Sequence, residues 1–144
     1  MDRELIRKAF GQIIETEMVG EGKLLYGVSP VPVKVIPGSP FVFILPVGTN
    51  RSMEYLGTNE WNGAVKIEIS VIVQVSDGAT YTEVNSSDIV DRIEKKLSEV
   101  ILANKENELW TNIEYDGETS ISLGEVGKQG YFYKEQITLL FEVM

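Results

Sequence analysis

Neither cysteine nor histidine occurs in this chain of 144 residues. Without cysteine there is no disulfide, no thiol nucleophile and no Cys/His zinc site. Without histidine every triad that uses imidazole as its base is excluded. Carboxylate, Lys, Tyr or Ser chemistry stays open, as does a hard metal held by carboxylates. No apolar run approaches the roughly 18 residues that suggest a membrane span. The opening stretch MDRELIRKAF mixes charged and apolar residues at helical spacing. That is unlike a secretory signal and predicts assembly or activity in a cytoplasm. Internal repeats, low-complexity tracts and a dividing linker are also missing, so 1–144 reads as one domain, long enough to bury a sizeable core.

Positive charge is the next thing in short supply. Thirteen Lys and Arg face 22 Asp and Glu, a net charge of −9. Repulsion from phosphate argues against sequence-independent nucleic-acid binding. The acid is concentrated: residues 77–118 hold 11 acids and 4 bases, the remainder 11 acids and 9 bases. One sector of the surface should therefore carry most of the negative potential.

The patterns that are present predict a simple order of elements. Leu5, Ile6, Ala9, Phe10, Ile13 and Ile14 gather on one face of a helix over 2–18, with Asp2 as its cap and Arg3, Arg7 and Lys8 on the wet side. Pro30, Pro32, Pro37 and Pro40 confine the next segments to short or edge strands. The wholly apolar Phe41-Val42-Phe43-Ile44-Leu45 suits a strand buried on both faces, closed by Pro46. Residues 48–63, GTNRSMEYLGTNEWNG, have neither helical nor strand period and read as a long loop. The strand over 64–76 then alternates strictly, with Val65, Ile67, Ile69, Val71, Val73 and Val75 on one side. A second helix starts at Ser86-Ser87-Asp88, with one of the serines as cap, and turns Ile89, Val90, Ile93, Leu97, Val100 and Ile101 inward.

Strands follow, with Asp116-Gly117 as a tight-turn signal. The last strand sets Tyr131, Tyr133, Ile137, Leu139, Phe141 and Val143 on one face, with Glu135 as the exception. Its long apolar character predicts a place inside the sheet. The expected fold is a two-layer α+β domain, a mixed and mostly antiparallel sheet with two helices packed on one face.

No group of residues makes a convincing catalytic, cofactor or metal site. Gly20-Glu21-Gly22-Lys23 resembles a phosphate loop, but Glu17 stands where the first glycine belongs and Leu24 where Ser or Thr would meet magnesium. Asp88, Asp91 and Glu94 are better read as a solvated helix face than as metal ligands. Tyr131-Phe132-Tyr133 lacks the basic groove that a stacking platform for single strands needs. The features left over are contact surfaces. Arg51, Met53, Tyr55, Leu56 and Trp61 in the loop are one candidate interface. Lys66 and Glu68, on the polar side of the long strand with Ser70, Ile72 and Gln74, are the other.

The succession of an amphipathic first helix, PFVFILPVG, EYLGTNEWNG, AVKIEISVIVQVSD, SSDIVDRIEKKLSEVILAN and closing strands resembles the tail terminator (tail completion) proteins of long-tailed bacteriophages. The resemblance spans most of the chain and lies in element order and lengths, without a diagnostic motif. It implies a virion protein of the head–tail junction, assembled in the host cytoplasm and not in a membrane. It also implies a hexameric ring that caps the tail tube, ends its growth and docks the head connector, with no cofactor. The partners would be further copies of the chain, the tail tube protein and the head connector protein. DNA would pass through the lumen without specific binding, and the acidic sector suits such a lining. Another neck or head–tail joining protein is the near alternative. A free-standing α+β module for a small ligand or a regulatory partner is the distant one, and fold alone does not choose among them.

Overall fold

Apolar residues four apart build the first helix, α1 (Arg3–Met18), in the computed structural model: Ile6, Phe10, Ile14 and Met18 are all buried on one side. Asp2 caps it, its carboxylate accepting from the Leu5 N–H at 3.1 Å. The structure describes residues 1–31, 37–52, 61–75, 85–125 and 131–143. The remaining elements are β1 (Gly27–Ser29), β2 (Phe41–Ser52), β3 (Asn62–Val75), α2 (Ser86–Ala103), β4 (Asn112–Tyr115), β5 (Ser120–Glu125) and β6 (Tyr131–Val143).

The six strands form one sheet in the order β1-β2-β3-β6-β4, with β5 also paired to β6. Only β1–β2 is parallel; the other pairings are antiparallel. The expected α+β fold with a mixed, mostly antiparallel sheet is thus observed. Both helices lie on one face. Val65, Ile67, Ile69, Val71 and Val73 of β3 are fully buried beneath them. Opposite these stand Phe141, Leu139 and Ile137 of β6 and, on the other side, Ile44 and Val42 of β2. Burying each such side chain contributes about 1.5–3 kcal/mol, so this stripe fixes the register of the sheet. β6 lies inside the sheet, as its sequence predicts. β2 is buried on both faces over Phe41–Ile44: Val42 and Ile44 join the helix-side core, while the Phe41 and Phe43 rings meet at 5.2 Å, tilted by 59°, on the far side.

Three expectations need correction. The strand β2 does not stop at Pro46. It continues to Ser52 through an irregularity between Pro46 and Gly48, and the polar residues 48–52 pair with 62–66. Pro46 is tolerated because β1 flanks β2 only over Phe41–Phe43, which leaves the outer edge there without a strand to serve. Much of the apparent loop is therefore a hairpin arm, in which Gly63 has φ +145° and a side chain would collide with the Asn50 carbonyl oxygen.

Second, Asp116-Gly117 does not reverse the chain. β4 and β5 both run antiparallel to β6, end to end along the same edge. Between Tyr115, opposite Leu139, and Ser120, opposite Gln136, the edge holds two more residues than β6 does, and Gly117 takes up the bulge at φ +82°. Third, Asn85 holds the cap position of α2, and Ser86 is already helical and buried.

Candidate interaction surfaces

Of the seven residues expected at an interface, Met53, Tyr55 and Leu56 lie outside the described residues. Trp61 is half exposed at the start of β3, and Arg51 is exposed on the arm of β2. Lys66 and Glu68 project from the sheet face opposite the helices and are both partly engaged within the fold. Lys66 Nζ pairs with Asp116 Oδ2 at 2.7 Å. Glu68 Oε1 accepts from Gln136 Nε2 at 3.3 Å. Arg51 and Trp61 sit at one end of the sheet, whereas Lys66 and Glu68 face away from the helices. The structure therefore does not unite these residues in one patch.

Arg51 instead joins two residues of α1. Arg3, Arg7 and Arg51 line a pocket of about 440 Å³ together with Met1, Asp2 and Glu4. Pairing of Arg51 with Gly63 and of Thr49 with Val65 turns this part of β2 toward the helix layer. Arg3 Nη1 donates to Thr49 Oγ1 at 3.3 Å, which holds the first turn of α1 against the arm. The two acids of the pocket have other partners: Asp2 caps the helix, and Glu4 pairs with Lys8. Among the described residues none of the three arginines forms an ion pair, and Arg7 Nε is buried without a hydrogen-bond partner. Leu5 and Val47, each about half-exposed to solvent, belong to α1 and β2, the elements that form this pocket.

The opposite edge of the sheet has the reverse character. On β5, Ile121 and Leu123 are exposed, and Tyr131 follows on β6. Beside Ile121 across the β5–β6 pair is Glu135, which is buried and accepts from Thr119 Oγ1 at 2.7 Å. Burial pushes the Glu135 carboxyl above its ordinary range, the Thr119 hydroxyl pulls it back, and the nearby Glu94 and Asp91 raise it further. Burial, with help from Glu94 and Glu135, likewise raises the Tyr115 phenol. Asp91, Glu94 and Glu118 take part in no ion pair among the described residues. This edge is therefore acidic and apolar together.

Neither surface was evident from sequence. Arg3 and Arg7 read as the ordinary wet side of α1, 44 or more residues from Arg51. Ile121 and Leu123 fall in a segment that reads only as one of the closing strands, with no facing assigned. A visible signal was Glu135, the one charge breaking the apolar alternation of the last strand. No protein-family model matches the chain, and no curated protein matches it either. Among the described residues, no group of three or more acids suited to a metal occurs, and no helix is long and apolar enough to cross a membrane.

Proposed function

We propose that this chain is a structural subunit that assembles head to tail into a ring, and that the ring is a tail terminator at the phage head–tail junction. The observation that carries the reading is the pair of unlike edges on one sheet. Among the described residues no strand covers β2 beyond Phe43 or the outer side of β4 and β5. Each of these edges carries exposed large apolar side chains: Val47 on the first, Ile121 and Leu123 on the second. Two different patches on opposite sides of a subunit are what a heterologous, ring-closing interface requires. Uncovered edges with apolar flanks are otherwise a liability that folded proteins avoid. The resemblance in element order supplies the place of the ring: it caps the tail tube, ends elongation and receives the head connector.

The test has two stages. Sedimentation velocity and electron microscopy of the purified chain should reveal closed rings of about six copies. Adding the chain to its cognate tail tube protein during polymerisation should then shorten and cap the tubes. Trp61→Ala should weaken assembly with the urea midpoint of the subunit unchanged, since Trp61 is half exposed and outside the core. Rings that leave tube length unaltered would retain the assembly and remove the tail-terminator role.

A further inference from the structure

We infer that the Arg3–Arg7–Arg51 pocket of one copy receives the carboxylates beside β5, Asp91 and Glu118 foremost, of the next copy in the ring. This rests on the head-to-tail reading above and names the contact that specifies it. The argument is one of charge left over. The chain carries −9 overall, yet three guanidinium groups converge on one pocket and none has a carboxylate partner among the described residues. Arg3 and Arg51 are exposed, but Arg7 is part-buried, and leaving a part-buried guanidinium unpaired costs stability in the free subunit. The Nε of Arg7 is already stripped of water and unbonded.

Across the sheet the opposite excess stands. Asp91 and Glu94 crowd the buried Glu135, and Glu118 lies one residue from its Thr119 partner; no cation pairs with any of them among the described residues. Each patch carries apolar side chains from its own elements, Leu5 and Val47 on the first and Ile121 and Leu123 on the second. A second copy of the chain is thus complementary in charge and in apolar area. Because the two patches lie on opposite edges, a copy cannot satisfy itself and must pass the excess on. Charges of this kind set register and partner choice more than total affinity.

Charge reversal tests the pairing. Variant one is Arg3→Glu with Arg51→Glu; variant two is Asp91→Arg with Glu118→Arg. All four side chains are exposed, so far-ultraviolet circular dichroism and urea midpoints should match the wild type. Either variant alone should associate about tenfold more weakly or worse in sedimentation, from repulsion at every interface. Mixed in equal amounts, the two should recover rings, since each reversed patch then meets a reversed partner in alternation. Wild-type rings should loosen as salt rises. Variants that form rings as readily as wild type, or a mixture that gains nothing over its parts, would overturn the pairing while leaving the ring intact. A wild-type chain that never associates would remove the ring and the pairing together. Retention of a DNA duplex that variant one abolishes, with assembly unaffected, would reassign the pocket to phosphate.

Discussion

Trp110 is the largest fully buried side chain, and truncating it is the sharpest test of how the two layers are joined. It lies between α2 and β4. Its ring meets Phe141 of β6 edge-on at 5.0 Å and Phe10 of α1 at 6.4 Å, and Phe10 meets Phe141 at 5.0 Å. The indole Nε1 donates to the Asn104 carbonyl at 2.9 Å, just past the end of α2. One side chain therefore ties both helices to the sheet. Deleting a buried Trp to Ala costs about 3–5 kcal/mol in transfer and cavity terms. Two edge-to-face contacts add about 0.5–1.5 kcal/mol each in favourable cases. The rigid Phe10 and Phe141 rings limit collapse of the cavity, so Trp110→Ala should cost about 5 kcal/mol, much of the 5–15 kcal/mol typical of a domain. Trp110→Phe keeps most of the ring packing and should cost about 1–2 kcal/mol, chiefly the indole hydrogen bond. Urea unfolding followed by far-ultraviolet circular dichroism reads both. The remaining Trp61 should then emit as a solvent-exposed indole in the folded state. A cost below about 1 kcal/mol for the Ala variant, within the range of an ordinary surface change, would refute the central placement of this ring.

Two further predictions concern the backbone and the buried carboxylate. Gly63→Ala should lower stability by about 1–3 kcal/mol, since a Cβ at φ +145° would sit against the Asn50 carbonyl; an unchanged urea midpoint would show that the hairpin arm does not close as described. Glu135→Gln should raise stability at pH 8 relative to wild type and lose that advantage on acidification. The folded carboxyl holds its proton to higher pH than the unfolded one. The wild type therefore has the full contribution below the ordinary carboxylate range and loses it as pH rises through the raised value. Equal pH dependence in the two proteins would contradict the burial.

The elements with burial to enforce were legible in the sequence. The alternation from Val65 to Val75 and the stripe of α2 follow directly from one face meeting a core, as does that of α1 except for Leu5, which is half exposed. Failures occurred where backbone pairing needs no burial. Residues 48–52 are polar and partly or fully exposed, so their strand has no period to detect. Asp116-Gly117 carries the same residues for a bulge as for a turn, because both require a positive φ. Arg3, Arg7 and Arg51 converge only because β2 runs past the proline and brings Thr49 and Arg51 to the start of α1. No spacing along the chain encodes that meeting.

The two extra residues around Gly117 also govern what the edge refuses. They split it into a piece of four residues and a piece of six, so an incoming strand loses its hydrogen-bonding rhythm partway along. Indiscriminate stacking of sheets into fibres is thereby interrupted. Under the proposed ring reading, a neighbouring copy at this border would be recognised by its side chains rather than by backbone pairing.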